Sequence, residues 1–425
     1  MNHAETALLA DRLRADGYHL VEPGEPTDLF VLNTCSVTEE AERTCRYLIR
    51  KTLRASPEAF VAVTGCYAQT GPDAVRRLDG VDLILGAEFK MRLPDLLPPP
   101  TDLRKRPAPE VLHSKRIGRD DFTIDGVGDY DSTRANLKIQ DGCDFMCAFC
   151  LIPFARGRER SRDFDDILRE AEALAALGHR ELVLTGVNIG RYRHQDRGLL
   201  QLIVALEAIG GLDRIRISSI EPTTVSPELL DHMAGSNKLC RSLHIPLQSG
   251  DDEVLRAMNR QYQIRDYVAL VDRALRLMPD LGLGTDLMVG FPTEGDREFA
   301  NTRAVAAELP FAYFHVFPYS ERPGTAAARL PHTASERVVA QRNQELAALS
   351  RHKRLAFAQR HVGQVVDVLF EGRQESGYWT GLTGNYLRVG VAGTPSLKNQ
   401  RLPVTVSGAM DGLALGTVST PLPRE

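Results

Sequence analysis

The sequence has no run of about 18 apolar residues, and its N-terminus has no basic segment followed by an apolar one. A membrane span and a secretory leader are therefore not expected, and the chain reads as cytoplasmic. It also lacks a strong net charge. At −4 it offers no bulk attraction for nucleic acid, leaving a local basic surface as the electrostatic route to such a partner. Cysteine is scarce as well, seven in 425 residues, which is not the composition of a small secreted chain stapled by disulfides. What remains is ordinary for a globular protein, 43% hydrophobic and 25% charged, with length for about two or three domains.

Three of the seven cysteines fall within eight residues: Cys143, Cys147 and Cys150, in GCDFMCAFC, have the spacing C-x3-C-x2-C. Thiolates are soft ligands suited to zinc or to iron–sulfur iron, and a closed structural zinc site takes about four ligands, usually as two pairs. Here no fourth cysteine lies nearby. A 4Fe-4S cluster held by three thiolates keeps one iron open to a substrate or cofactor, so the spacing points to chemistry at that iron. A zinc site with a distant fourth ligand and a disulfide with a spare thiol are the competing readings.

Residues 1–97 alternate helical and strand patterns: amphipathic Ala4–Asp16, apolar Leu29–Leu32, helical Glu39–Leu53, then Phe60–Thr64 and Val81–Leu85. That order predicts a small α/β domain with a parallel sheet. Cys35 and Cys66 each follow a strand, where ligands gather in open α/β sheets, although a lone cysteine is more often an inert core residue. Cys45 and Cys240 read as packing residues. Residues 98–133, opening PPPTDLRKRPAPE, read as a linker.

Residues 134–358 resume the alternation, with strands expected at Leu137–Gln140, Glu181–Thr185, Arg214–Ser218, Ser242–Pro246, Gly284–Val289 and Phe311–Phe317. Six βα units suit a partial (βα)6 TIM-like barrel with its active site at the C-terminal ends of the strands. Thr185, Gly186, Asn188, Glu221 and Gln248 stand at those ends and are candidate cofactor contacts. Residues 361–425 read as short strands between glycine-containing turns, a small β-barrel. Its charges balance, Arg373, Arg388, Lys398 and Arg401 against Asp367, Glu371, Glu375 and Asp411. Phe370, Tyr378, Trp379 and Tyr386 either stack on bases or fill the core, with core filling expected for at least half.

Beyond the cysteine triplet, Arg156, Arg158, Arg160 and Arg162 alternate along the chain. With Arg134 and Lys138 they make six basic residues against Asp141, Asp144 and Glu159, a local +3. Arginines so placed suit bidentate phosphate contacts that position RNA without reading its sequence, the alternative being a solvated charged run.

The triplet with Phe149 before its last cysteine resembles the radical S-adenosylmethionine (radical SAM) signature. With NTC and TGC upstream and the terminal β-module, nearly the whole chain resembles the radical SAM methylthiotransferase family. Within it, KIQDGC, FARGRERSR, TGCYAQ and LFEGRQESGYWTGLTGNYLRV are most similar to the branch acting on N6-threonylcarbamoyladenosine at position 37 of tRNA. The resemblance implies an N-terminal methylthiotransferase domain, a radical SAM barrel, a terminal TRAM domain, two 4Fe-4S clusters and S-adenosylmethionine. Cys143, Cys147 and Cys150 would hold the cluster that cleaves S-adenosylmethionine, and Cys35 and Cys66 an auxiliary one. A second S-adenosylmethionine would methylate the sulfur destined for adenine C2. Implied partners are tRNA and an electron donor such as flavodoxin or ferredoxin, with no membrane, the protein acting as a monomer.

In the family the auxiliary cluster takes a third cysteine from a Gly-Cys-x-x-Asn-x-x-Glu-Thr-like segment. Asn2, Glu5 and Thr6 match its tail, which places that cysteine upstream of Met1. The expectation is that the true N-terminus lies further upstream. The alternatives are a sister enzyme acting on isopentenyladenosine in tRNA or on a ribosomal-protein aspartate, and, from another class, an inactive RNA-binding relative with an incomplete auxiliary cluster.

Overall fold

A computed structural model describes residues 2–22, 24–36, 38–120, 122, 124, 133–373, 377–393 and 396–419. Residues 125–132 of the expected linker and Glu375 of the terminal charge balance lie outside them. The chain divides into two compact units, one of residues 1–129, 138–166 and 320–329, the other of residues 130–137, 167–319 and 330–425. The cysteine triplet thus groups with the N-terminal region, and the terminal β-module groups with the barrel strands.

In the first unit, helix α1 (Asn2–Ala15) precedes strand β1 (Leu29–Thr34), helix α2 (Glu39–Ala55), strand β2 (Phe60–Gly65), the short helix α3 (Cys66–Thr70) and strand β3 (Leu83–Leu85). The α2 helix starts where Thr38 accepts a hydrogen bond from Ala41 N, with Glu39, Glu40 and Glu42 in the first turn facing the positive end of the helix dipole. Cys45 and Ile49, four residues apart, form its buried stripe. Strand β2, FVAVTG, is buried on both faces, as a strand inside a parallel sheet must be. The expected linker is corrected in part: its Glu110–Leu112 forms β4 and pairs parallel with β3, completing a four-stranded sheet in the order β1-β2-β3-β4. Two polar residues flank a single apolar pair there, too short a pattern to announce a strand.

In the second unit, β5 (Arg134–Lys138, its last residue counted with the first unit), β6 (Glu181–Thr185) and β7 (Arg214–Ile217) form one sheet in the order β7-β6-β5. Strands β8 (Ser242–His244), β9 (Gly282–Val289) and β10 (Tyr313–Pro318) form another in that order. Both are parallel where their registers are defined, and isolated bridges Ile215–Leu239 and Ser219–His244 join them across the β7–β8 seam. The arrangement is the open, partial barrel expected from six βα units.

Helix α4 (Glu336–Gln359) leads into a closed five-stranded barrel: β11 (Val365–Arg373), β12 (Tyr378–Thr383), β13 (Arg388–Ala392), β14 (Arg401–Met410) and β15 (Leu413–Val418), ordered β11-β12-β13-β15-β14. Alternating residues such as Val368, Phe370, Val389, Val391, Val404 and Val406 fill it, and Trp379 packs against them. Phe370 and Trp379 therefore serve the core, whereas Tyr386 is partly exposed and stacks on Tyr313.

Two arginines at the start of β7 tie this barrel to the sheet. Arg214 donates to the carbonyls of Leu382 and Asp367, and Arg216 to those of Thr383 and Gly384. Arg216 is also clamped by both carboxylate oxygens of Glu181, at 2.6 and 3.2 Å. Burial alone would raise the Glu181 carboxyl, but the Arg216 guanidinium overrides it and holds it below the ordinary carboxylate value.

Candidate active site

The loop that follows β5 carries the cysteine triplet. Its entry turns at Gly142, with φ +70, where a Cβ would collide with the Arg158 carbonyl oxygen. Only glycine permits that approach. Cys143 N donates to Gly157 O at 3.2 Å and Cys150 N to Cys147 O at 3.0 Å, curling the triplet on itself. The amides of Phe145 and Ile152 point at the sulfurs of Cys143 and Cys150, each at 3.4 Å. Such donors favour thiolate over thiol. No disulfide joins any of the seven cysteines, and the three of the triplet are partly accessible, so the disulfide reading is corrected.

Cys35 and Cys66 occupy equivalent places. Strands β1 and β2 run in register, Thr34 beside Gly65, so the next residue of each, Cys35 and Cys66, leaves the sheet side by side at its carboxyl edge. Gly65, at φ +95, is required because a Cβ there would strike the Thr34 backbone. The Thr34 hydroxyl receives the amides of Tyr67 and Ala68 at 3.2 and 3.3 Å, capping α3 and fixing Cys66 at its first position. Cys45 and Cys240 are core residues, as expected, with burial pushing the Cys240 thiol up to about 11.

A buried charge network that sequence reasoning did not find backs both cysteine groups within this unit. Glu5 bonds Lys90 and Lys138, each at 2.7 Å, and Arg156 at 2.9 Å, while Asp141 bonds Lys138 at 2.7 Å and Arg156 at 3.2 Å. Burial raises the Glu5 carboxyl, but Lys138, Lys90 and Arg156 outweigh it and leave it well below its usual range. Burial lowers Lys90, and a Cys66 thiolate would act on both Lys90 and Arg156 in the opposite sense. Three buried cations thus share two buried carboxylates, leaving one positive charge beside Cys66. An uncompensated buried charge is costly, so the pocket favours an anionic occupant. Thiolate sulfurs ligating iron meet that demand; the triplet supplies the three donors of the implied 4Fe-4S group, and Cys35 and Cys66 supply two of the three donors implied for the auxiliary one. The one signal available in the sequence was Glu5, noted there only as a motif match.

The arginine run needs correction. Arg156 is buried in this network, and Arg162 is fully buried, with its Nε on Asp166 at 2.6 Å and its Nη1 on Lys138 O at 3.2 Å. Arg160 lies over the Phe122 ring and near Asp141, and only Arg158, near Asp144, is substantially exposed. Alternating arginines resemble a solvated run; the carboxylate partners of Arg156, Arg158 and Arg160 lie far along the chain, whereas Arg162 pairs with Asp166 only four residues on, a spacing the sequence did offer.

In the second unit, Thr185, Gly186 and Asn188 leave β6, Glu221 follows β7 and Gln248 follows β8. Gln248 has φ +67, and its Oε1, like Thr185 Oγ1, is buried without a protein hydrogen bond. Such atoms suit a polar ligand. Glu221 is paired with Arg260. Deeper among these strands a cavity of about 410 Å³ is lined by polar side chains including Arg216, Ser218, Ser242, His244, Asp286 and His315. Burial, with the neighbouring His244, pulls His315 below the ordinary histidine value.

The fold and the triplet define a radical SAM enzyme. The Radical SAM superfamily model matches residues 137–306, and the model described as Uncharacterized protein family UPF0004 matches residues 1–86. The chain belongs to the radical SAM methylthiotransferase family. Threonylcarbamoyladenosine tRNA methylthiotransferase MtaB of Bacillus subtilis is 34% identical over 413 residues, 96% of this chain and 91% of that protein. The protein of that name from Aquifex aeolicus is 35% identical over 87% of this chain and 90% of its own length. tRNA-2-methylthio-N(6)-dimethylallyladenosine synthase of Cereibacter sphaeroides is 36% identical over 87% of this chain and 85% of its own. Among solved structures, the radical S-adenosylmethionine methyltransferase TsrM of Kitasatospora setae superposes with a TM-score of 0.57 at 17% identity, over 76% of this chain and 73% of that one, a likeness of fold.

Proposed function

We propose that this protein adds a methylthio group to C2 of N6-threonylcarbamoyladenosine at position 37 of tRNA, taking electrons from a flavodoxin or ferredoxin and working as a cytoplasmic monomer. The observation that carries the reading is the gathering of five candidate ligands, Cys35, Cys66, Cys143, Cys147 and Cys150, in one compact unit with a buried excess of positive charge. Similarity to the threonylcarbamoyladenosine enzymes over nearly the whole chain supports the choice of substrate.

Cys143, Cys147 and Cys150 would hold the 4Fe-4S group that supplies reductive cleavage of S-adenosylmethionine to a carbon-centred radical, a step no side chain can perform. The amides of Phe145 and Ile152 donate to the flanking sulfurs and would support them as thiolate ligands. Cys35 and Cys66 would hold the auxiliary group, with Lys90 and Arg156 balancing its charge. Thr185 Oγ1 and Gln248 Oε1 would bind polar groups of S-adenosylmethionine, with Gly186, Asn188 and Glu221 completing those contacts. Arg158 and Arg160 would meet tRNA phosphates.

The dimethylallyladenosine enzymes match at comparable identity, which keeps an isopentenylated adenosine as the second reading. Nucleoside mass spectrometry of tRNA from a deletion strain tests both. Loss of the methylthio group from threonylcarbamoyladenosine, restored by this chain, is the expected result. Loss from isopentenyladenosine instead would move the assignment to the second reading.

A further inference from the structure

The interior of a parallel barrel is ordinarily packed with branched apolar side chains. Here part of it is a cavity of about 410 Å³ with two histidines and an aspartate on its wall. His244 ends β8, Asp286 lies within β9, and His315 is the register partner of Asp286 on β10, so the last two share a face of the sheet. One ligand atom from each of the three lies within 4.8 Å of the others, the one such grouping among the described residues. Neither the cysteine chemistry nor the candidate cofactor contacts use it.

We infer that His244, Asp286 and His315 form a binding site for one divalent first-row transition-metal ion, with the rest of its coordination shell open to the cavity. Imidazole nitrogen and carboxylate oxygen bind such ions at about 2.0–2.2 Å, which places tetrahedral ligands about 3.4 Å apart. His244 Nε2 and Asp286 Oδ1 already stand 3.1 Å apart. Two histidines and one carboxylate are the donor set of metal sites that keep open positions for water or a substrate oxygen.

Three further features fit a metal more closely than a simple histidine–carboxylate pair. His244 presents Nε2 to Asp286 while its other nitrogen, Nδ1, lies 3.3 Å from the Tyr313 hydroxyl. That is the outer hydrogen bond by which ligating histidines are oriented. Gly284 lies between them, and a Cβ there would run into both the Tyr313 ring and His244 Nδ1. The cations of the cavity wall are already neutralised, Arg134 by Glu371 at 2.5 Å and Arg216 by Glu181 at 2.6 Å. Asp286 meets His244 and no Arg or Lys of the wall among the described residues, so no side-chain cation already occupies it.

The test uses the full chain with its iron–sulfur groups reconstituted anaerobically, so that the cysteines are occupied. Zn2+ is titrated calorimetrically, zinc and iron are counted after gel filtration, and the zinc shell is read by X-ray absorption. The expected result is about one zinc per chain in a nitrogen and oxygen shell. His315→Ala, at a partly exposed position, and Asp286→Asn should each weaken zinc binding roughly 100-fold or more while leaving iron content and circular dichroism unchanged. No zinc uptake by the intact chain, sulfur in the zinc shell, or equal affinity in the variants would each overturn the inference. None of these readouts depends on the tRNA substrate.

Discussion

Glu5 is the residue on which the first unit's charge balance turns, since it alone contacts Lys90, Lys138 and Arg156. Replacing it by Gln leaves three buried cations facing Asp141, a change of the kind that costs about 3–5 kcal/mol. Glu5→Gln should therefore lower the thermal midpoint and reduce the iron retained after anaerobic reconstitution. The pH response has a definite sign. Glu5, Asp141 and Glu181 all have folded values below their ordinary ones, so their stabilisation is complete above about pH 4.5 and is lost as pH falls through the lowered values. Denaturant midpoints measured from neutrality to about pH 2 should stay level and then fall, with a shallower fall in Glu5→Gln. At the same scale Arg158 is the exposed member of its run. Arg158→Ala should reduce the slope of log affinity for tRNA against log salt by about 1, with no loss of fold, whereas Arg162→Ala should destabilise the protein instead.

At the scale of elements, two glycines, Gly65 and Gly142, set the turns that carry the cysteines. Gly142→Ala forces a side chain into the Arg158 carbonyl at a positive φ, a strain of about 1–3 kcal/mol that the loop can relieve only by opening. The expected outcome is loss of the iron bound by the triplet, seen by iron counting and Mössbauer spectroscopy, with β-sheet circular dichroism intact. Most of these elements were legible beforehand. The six barrel strands, the α/β alternation and the terminal strands announce themselves by period and by punctuating glycines, and the triplet by spacing. What escaped depends on long-range pairing. Arg156 looks like a surface arginine until Glu5 is seen beside it, and β4 exists because β3 offers it an edge. His244 opens HIPLQSG, a polar string at a strand end, but Asp286 and His315 were hidden inside strings read as strands, although a polar residue in an apolar strand such as GTDLMVG was a usable sign.

For the whole molecule, the two units depend on charge in different ways. In the second, Arg214 and Arg216 carry their hydrogen bonds from sheet to terminal barrel with Glu181 as counter-ion. Arg216→Ala should cost about 3–5 kcal/mol by stranding Glu181, and limited proteolysis should then release the barrel more readily. In the first unit the counter-charge is incomplete, one buried positive charge remaining beside Cys66. The polypeptide alone is thus an unfinished salt. Iron–sulfur insertion would complete its neutralisation as well as equip it for catalysis, so maturation and folding of this unit would be thermodynamically linked. Limited proteolysis should then cut the first unit more readily in protein prepared without iron than after anaerobic reconstitution.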